Sequence, residues 1–376
     1  MARKIIVQGR PFTFQPSGNK TFTTNFVLQL SKRLSGYAIE ILLPEEIDMT
    51  PFSLPSNCTV KIIPKIETTP PYLSTLLWET QQMTEYLASV DGTYECFLST
   101  HPSLPIAPLR SPAYVVVHDV HLWKEPHDNW TVDRKLTYEI NKQSIMNART
   151  IFTVSDFTMR EAKEYFGPSC PKIASIYEDI DPYYKQTIAP DTAYIQSLGL
   201  NTHDYYLYIG SFEPRKNLDA LMKAYDMYRA HGGTKKLVVV GAATQRSKEA
   251  AEQKLHESII WKETATIPQL YQLYASAQAF VYPSNYEGFG LQILEAQHTG
   301  CAVLCSDIPV FREVAGEGAL FFDQHSPESI CKTLEDVEKN TGEYESIIKK
   351  GRENARRYSW EHTIDLFIKN QHILKP

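Results

Sequence analysis

Two glutamates frame the segment from Pro283 to Ala296, which reads PSNYEGFGLQILEA. An apolar run precedes this segment and helical spacing begins at Leu291, so we predict a strand, a loop and a helix that starts near Gly290. The first N–H groups of such a helix have no partner within it and can bind a phosphate. Carboxylates repel phosphate but accept hydrogen bonds from hydroxyl groups. Glu287 and Glu295 therefore indicate a ligand that carries both phosphate and hydroxyl groups, as a sugar nucleotide does.

Two cations stand where another predicted strand passes into a helix, in the segment from Gly210 to Leu218. Arg215 and Lys216 lie at or beside the helix N-terminus, where a cation opposes the positive end of the helix dipole. A bound diphosphate reverses the sign of that interaction. We therefore expect Lys216 to be exposed in the free protein and both cations to neutralise a diphosphate in the complex. The alternative is a solvated basic helix start without a ligand.

A third candidate follows the apolar strand from Tyr114 to Val117, which ends in His118 and Asp119. Ligands of open α/β sheets bind at the carboxyl ends of strands, so His118 is expected to hydrogen-bond a sugar and to help stabilise charge near the reacting carbon. A rival interpretation joins His118, Asp119, His121 and His127 in a metal site. Only two of these can face one way from a strand end, which weakens that interpretation. A purely structural His118 is the remaining alternative.

Predicted strands and helices alternate along the rest of the chain, including an amphipathic helix from Leu73 to Leu87. This alternation indicates parallel sheets covered by helices on both faces. The pattern fades between Asp179 and Leu200 and then restarts, so we place a domain boundary there. The sequence therefore predicts an α/β protein with domains at residues 1–190 and 191–357.

Composition and charge exclude several classes of protein. The 376 residues are 43% apolar and 22% charged, and a net charge of -6 offers no basic field to recruit nucleic acid. Six scattered cysteines without a Cys-x-x-Cys pair favour a reduced, cytoplasmic compartment. The N-terminus lacks the apolar core of a signal peptide, and no apolar run approaches bilayer-spanning length. The basic run from Lys349 to Arg357 is interpreted as a solvated helix face, with weak peripheral contact at the inner face of a membrane left open.

Three of these segments resemble motifs of retaining GT-B glycosyltransferases of family GT4. Glu287 and Glu295 match the two glutamates of the family's Glu-(seven residues)-Glu motif. The segment from Glu213 to Asn217 resembles the Glu-Pro-Arg-Lys-Asn of mannosyltransferase-like members, and His118 stands where the family has His-Asp after a strand. The resemblance implies the GT-B fold, with two Rossmann-like domains and a deep cleft between them. It also implies that the second domain holds the donor and the first holds the acceptor.

The resemblance is incomplete at two positions. Ser211 stands where many members have an arginine, a charge that Arg215 would replace. Gly18 is a single glycine in the loop where members often have two, which approach the leaving phosphate and the acceptor.

Near the C-terminus, Tyr-Ser-Trp at 358–360 resembles the point at which the family's terminal helix crosses back onto the first domain. This resemblance would join residues 358–376 to the first domain.

The resemblance also implies roles for individual residues. Lys216 falls on the family's donor-phosphate lysine, and His118 falls on the histidine that faces the donor sugar. Glu295 would bind ribose hydroxyls and Glu287 sugar hydroxyls. The catalytic residues implied are His118 and Glu287. The donor-binding residues implied are Gly18, Ser211, Arg215, Lys216, Ser284, Phe289, Gly290, Leu291 and Glu295.

These expectations together describe a retaining glycosyltransferase. It would move mannose from GDP-mannose to a glycan or lipid-linked acceptor in cell-surface polysaccharide or glycoconjugate synthesis, with a UDP-sugar as the less favoured donor. The family's reaction is a front-face displacement, in which the leaving phosphate helps to deprotonate the acceptor hydroxyl. We expect no metal and no cofactor beyond the nucleotide-sugar co-substrate. Two other classes stay open, a GT-B epimerase or phosphorylase and a non-catalytic sugar-nucleotide-binding protein.

Overall fold

The computed structural model of the chain describes residues 3–15, 17–69, 72–125, 130–241, 257–339, 341–371 and 373–374. The chain divides into two compact units. The first comprises Met1–Asp179 with Tyr358–Pro376, and the second comprises Ile180–Arg357. Each unit contains one parallel sheet flanked by helices, so the predicted α/β class is confirmed.

Among the described residues, the first unit has a sheet of seven parallel strands. They are β1 (Arg3–Gln8), β2 (Tyr37–Leu43), β3 (Cys58–Ile62), β4 (Cys96–Ser99), β5 (Ala113–Val117), β6 (Thr150–Thr153) and β7 (Lys172–Ser175). Their order across the sheet is β3-β2-β1-β4-β5-β6-β7. All five residues of β5 are buried, as expected for a parallel strand with both faces covered.

Two helices of the first unit begin after a capping serine. Ser17 and Ser155 each accept a hydrogen bond from the backbone three residues later and so start a helix. The predicted helix from Leu73 to Leu87 is interrupted by a wide π turn at Trp78–Gln82. The helices are α1 (Gly18–Arg33), α2 (Tyr72–Leu77), α3 (Met83–Ser89), α4 (His121–Lys124), α5 (Val132–Ile145) and α6 (Asp156–Phe166).

The second unit has a sheet of six parallel strands among the described residues. They are β8 (Tyr205–Ile209), β9 (Lys236–Val240), β10 (Ile259–Lys262), β11 (Ala279–Tyr282), β12 (Ala302–Ser306) and β13 (Leu320–Phe322). Their order is β10-β9-β8-β11-β12-β13. The helices are α7 (Thr192–Ser197), α8 (Leu218–Ala230), α9 (Ile267–Ser276), α10 (Leu291–Thr299), α11 (Pro309–Ala315), α12 (Pro327–Lys339) and α13 (Thr341–Ala355).

The boundary between the units falls after Asp179, so the predicted boundary after residue 190 lies inside the second unit. The reason is packing on α9. The Tyr184 and Tyr271 rings stack with centroids 6.4 Å apart. The Tyr271 hydroxyl also hydrogen-bonds the backbone of Gln186 and Ile188. In the sequence, Tyr184, Gln186 and Ile188 resemble a linker, because the residues that they contact lie some eighty positions further along the chain.

The last helix, α14 (Trp360–Gln371), belongs to the first unit. Its Trp360 ring packs on Phe22 of α1, and its Phe367 ring packs on Phe26 of the same helix. The Tyr114 hydroxyl of β5 donates to the carbonyl of Gln371 at 2.6 Å. No helix within the described ranges is both long enough and apolar enough to cross a bilayer.

Candidate active site

The strand order of the second unit reverses between β8 and β11, which are neighbours in the sheet. In open parallel sheets, ligands bind beyond the carboxyl ends of the strands at such a point. The two segments predicted to bind a donor follow these two strands, at residues 210–217 and 283–290. The backbone N–H of Asn285 donates to the carbonyl of Arg215 at 2.7 Å. The fold therefore brings the two segments together at the expected place.

Lys216 is buried, whereas the sequence predicted an exposed cation. Pro214–Lys216 form one 3-10 turn, and Asn217 follows in the left-handed conformation with φ 55°. Only 8% of Lys216 remains exposed. Its Nζ donates to Glu287 Oε1 at 2.6 Å and to the Tyr282 hydroxyl at 3.4 Å. The alternative of a solvated basic helix start is therefore wrong for this residue.

Glu287 accepts hydrogen bonds from both cations. Its Oε2 lies 2.9 Å from Arg215 Nη1, and Arg215 Nε donates to Glu213 at 2.8 Å. Burial alone would raise the pKa of the Glu287 carboxyl, but the charges of Lys216 and Arg215 lower that pKa below its usual value. Glu287 is therefore ionised at neutral pH and holds the two cations in place. Its oxygens keep further acceptor capacity, so its contact with sugar hydroxyls stays a prediction.

Helix α10 begins directly after Gly290, which has φ 114°. A Cβ at this position would lie 3.0 Å from the Phe311 ring, so conformation and space both favour glycine. Gly290 offers no side chain to cap the helix, and the Ile293 N–H donates to the Gly290 carbonyl at 2.9 Å. The N–H groups of Leu291 and Gln292 precede it at the helix start, where an anion can bind. The Tyr282 hydroxyl donates to Gln292 in the first turn at 3.0 Å. Tyr282 thus links the Lys216 amine to the N-terminus of α10.

Other residues predicted to bind the donor differ in exposure. Ser284 and Phe289 are buried, while Ser211 and Leu291 are half-exposed. The carbonyl of Ser211 accepts a hydrogen bond from Tyr208 at 3.0 Å, which fixes the loop after β8. Contact of these residues with a donor stays a prediction.

Glu295 lies on α10 and is half-buried. Its Oε2 accepts a hydrogen bond from the Tyr274 hydroxyl of α9 at 2.9 Å. Burial raises the pKa of the Glu295 carboxyl to about 7; the charge of Asp181 adds to this rise, while the Tyr274 bond opposes it. The carboxyl therefore titrates near neutral pH. Its predicted contact with ribose hydroxyls stays a prediction.

His118 follows β5 in the first unit, where its Nε2 lies 3.0 Å from the carbonyl oxygen of Thr100. A carbonyl only accepts, so Nε2 carries the hydrogen and Nδ1 is an acceptor. Burial lowers the pKa of His118 to about 4, against a smaller opposing effect of the Thr100 bond. His118 is therefore neutral at pH 7, the form that can accept a hydrogen bond from a sugar hydroxyl.

His118 also lines a cavity of ≈ 530 Å³ in the first unit. His101, which follows β4, lines it too, and Arg10 Nη2 lies 2.7 Å from His101 Nε2. Because arginine only donates, His101 accepts there and is neutral. Burial and then the Arg10 charge hold the His101 pKa well below its usual value. The wall also includes Asn19, Asp119, Trp123, Tyr138 and Asn141.

The rival metal ligands near His118 do not converge within the described residues. His118 Nε2 faces Thr100, and His121 Nε2 pairs with Glu125 at 2.9 Å. His127 lies outside the described residues.

Gly18, the remaining residue predicted to bind the donor, is the exposed first residue of α1.

Comparisons with known proteins relate the chain to glycosyltransferases. Residues 191–354 match the family Glycosyl transferases group 1. The chain is 28% identical over 280 residues, 72% of each chain, to O-antigen chain mannosyltransferase B of Escherichia coli. It is 26% identical over 253 residues, 65% of this chain and 66% of the other, to O-antigen chain mannosyltransferase RfbU of Salmonella typhimurium. A crystal structure of Anabaena HepE in complex with UDP and glucose superposes with a TM-score of 0.75, at 13% identity over 100% of both chains.

The match to the glycosyl transferases group 1 lies within the second unit and spans most of it. The chain is therefore a glycosyltransferase, and its two Rossmann-like units have the GT-B fold. The likeness to HepE shows the fold alone, because the two sequences share so little identity.

The sequence did not single out several residues that line or support the candidate site. Tyr282 and Tyr274 hydrogen-bond Lys216 and Glu295, but each reads as an ordinary core aromatic. Their partners are 66 and 21 residues away, so no local pattern marks them. His101 carried a usable signal, because it follows the carboxyl end of a buried strand as His118 does.

Proposed function

We propose that this glycosyltransferase is a retaining mannosyltransferase. It uses GDP-mannose as donor and a glycan or lipid-linked saccharide as acceptor, in cell-surface polysaccharide or glycoconjugate synthesis. The observation that carries the proposal is the buried pairing of Lys216 and Arg215 with Glu287, beside the uncapped N-terminus of α10. The mannosyltransferase names of the sequence relatives support the choice of sugar.

The diphosphate of the donor would bind at the N-terminus of α10, with Lys216 and Arg215 beside it. When the bond from the sugar to the phosphate breaks, the leaving oxygen keeps the electron pair and negative charge grows on the diphosphate. Lys216 and Arg215 are already oriented by Glu287, so little reorganisation is needed as that charge develops. Burial of Lys216 lowers the local dielectric and strengthens the interaction.

Retention follows in this proposal from attack on the face that the diphosphate leaves. The acceptor hydroxyl forms the new bond to the anomeric carbon, and its proton passes to the departing phosphate oxygen. No protein nucleophile and no metal takes part in the transfer. Electrostatic stabilisation of the leaving group by Lys216 and Arg215 then supplies the largest contribution to catalysis.

Glu295 and the first unit would complete recognition. Glu295 binds the ribose hydroxyls through the oxygen capacity that Tyr274 leaves open. The cavity beside His118 combines aromatic and polar walls, which suits the apolar faces and hydroxyl rims of a saccharide. His118 Nδ1 accepts a hydrogen bond from a sugar hydroxyl. All six cysteines are free thiols, and we therefore place the reaction in the reducing cytoplasm. A weak peripheral contact with the membrane stays a prediction.

Calorimetric titration with GDP, UDP, ADP and dTDP tests the donor assignment. GDP is expected to bind with the highest affinity. In a parallel thermal-unfolding experiment, a ligand at a hundred times its dissociation constant should add about 2.7 kcal/mol to the free energy of unfolding. Lys216→Met should weaken GDP binding, and Lys223→Ala, an exposed lysine on α8, should not. Conversion of a sugar nucleotide without any acceptor would indicate an epimerase instead. Binding without turnover over a broad acceptor set would indicate a non-catalytic protein.

A further inference from the structure

A group of metal-binding side chains lies at the opposite end of α8 from Lys216. His231 follows α8 directly, and Cys331 and Glu335 are four residues apart on one face of α12. His231 Nδ1 lies 2.8 Å from Glu335 Oε1. Cys331 Sγ lies 3.9 Å from His231 Nδ1 and 3.6 Å from Glu335 Oε1. Among the described residues, this is the one set of three such ligands whose donor atoms converge.

The spacing of the three atoms is close to that of a tetrahedral zinc site. Zinc bonds of about 2.3 Å to sulfur, 2.05 Å to nitrogen and 2.1 Å to oxygen, at tetrahedral angles, place S and N about 3.6 Å apart, S and O about 3.6 Å, and N and O about 3.4 Å. The two sulfur distances agree within about 0.3 Å. The N–O distance is shorter, since the His231 imidazole now hydrogen-bonds the Glu335 carboxylate. His231 has 58% of its side chain exposed, so it can turn to open that distance.

We propose that His231, Cys331 and Glu335 bind one Zn²⁺ ion, with water as the fourth ligand. Thiolate, imidazole and carboxylate are the three ligand types that proteins use for zinc, and the thiolate disfavours magnesium and calcium. On binding, the Cys331 thiol loses its proton to solvent. Glu335 binds through Oε1, because its Oε2 accepts a hydrogen bond from Lys339 at 3.1 Å. That second contact orients the carboxylate, as outer-shell partners do in metal sites.

The ion would clamp two packed helices and take no part in sugar transfer. His231 is carried by the end of α8, and the other two ligands are carried by α12, which packs against α8. Helix α8 spans 13 residues and is about 20 Å long, with Lys216 just before its start. Metal binding is therefore expected to raise the melting temperature of the protein without changing kcat.

Titration of the full-length, chelator-treated protein with Co²⁺ and then with Zn²⁺ tests the proposal. One equivalent of Co²⁺ should produce a sulfur-to-cobalt charge-transfer band and the intense d–d bands of tetrahedral cobalt. Zn²⁺ should displace it. Cys331→Ser should abolish the charge-transfer band, and His231→Ala should weaken Zn²⁺ affinity at least about tenfold.

Two variants serve as matched controls. Cys58→Ser removes a half-exposed thiol of the first unit, and His325→Ala removes an exposed histidine of the second unit. Both should bind Co²⁺ like the wild type. Absence of a thiolate band in the wild type, or a band that survives Cys331→Ser, would overturn the proposal. Melting curves in chelator verify that each variant is folded. If Cys331→Ser misfolds, the exposed-site variant His231→Ala becomes the deciding test. Zn²⁺ affinity equal to that of the wild type in His231→Ala would then overturn the proposal.

Discussion

The pairing of Lys216 with Glu287 gives the sharpest prediction about this protein. Both side chains are about 10% exposed, and the Nζ–Oε1 distance is 2.6 Å. Removing one partner of a buried ion pair costs about 3–5 kcal/mol, since the other charge stays buried. In Lys216→Met the Glu287 carboxylate still has Arg215, so we expect the lower end, about 3 kcal/mol. The sequence alone suggested almost no effect, because Lys216 reads as an exposed cation.

A double-mutant cycle isolates the pair. Lys216→Met and Glu287→Gln are each expected to destabilise the folded state, whereas the double variant leaves neither charge unpaired. Arg215 keeps Glu213 as its partner in the double variant. The cost of the double variant should therefore fall short of the sum of the single costs by about 2 kcal/mol. Lys223→Ala, on the exposed face of α8, is the control and should change stability by less than about 0.5 kcal/mol.

Urea unfolding of the full chain, followed by circular dichroism, provides the stabilities. The two units can unfold in separate transitions, so each transition is fitted by itself. A Lys216→Met variant no less stable than Lys223→Ala would refute the buried pairing. Additivity of the two single variants would refute the coupling between their charges. Turnover by Lys216→Met should also fall roughly a hundredfold or more, as expected when one electrostatic stabiliser of a leaving group is lost.

Three further predictions concern the donor site and its chemistry. Glu295→Gln should raise the donor KM about tenfold, or about 1.4 kcal/mol, with little change in kcat, whereas Glu287→Gln should mainly lower kcat; the reverse pattern in steady-state kinetics would contradict both roles. Because the pKa of Glu295 is about 7 and its ionised form accepts hydroxyls better, the wild-type donor KM should rise up to about tenfold as the pH falls from 8 to 6. Glu295→Gln should lose that dependence, and an unchanged pH profile would sink the assignment. Exhaustive dialysis against EDTA should lower the melting temperature but leave kcat intact, and activity that returns only with added metal would contradict a metal-free transfer.

The sequence predicted most of the layout around α10. An apolar run ending at Tyr282 and helical spacing from Leu291 locate a strand and a helix, and Gly290 supplies the turn between them. These features follow from local propensity. For the same reason the strand that precedes His118 was found correctly.

The burial of Lys216 could not be predicted in this way. It results from a 3-10 turn, a left-handed Asn217 and a carboxylate 71 residues further along the chain. None of these has a periodic signature. The pKa of Glu295 depends likewise on burial first, and then on Tyr274 and Asp181, which only the folded unit brings close. The domain boundary was misplaced because Tyr184 and its neighbours look like linker until α9 covers them.

The anomeric configuration of the product tests the central claim most directly. The purified enzyme is incubated with GDP-α-mannose and a mannose-terminated oligosaccharide, and the product is examined by NMR. We expect a new α-mannosyl linkage, made by wild type and lost in Lys216→Met. A β-linkage would contradict retention, and sugar transfer from another nucleotide sugar with none from GDP-mannose would contradict the proposed donor.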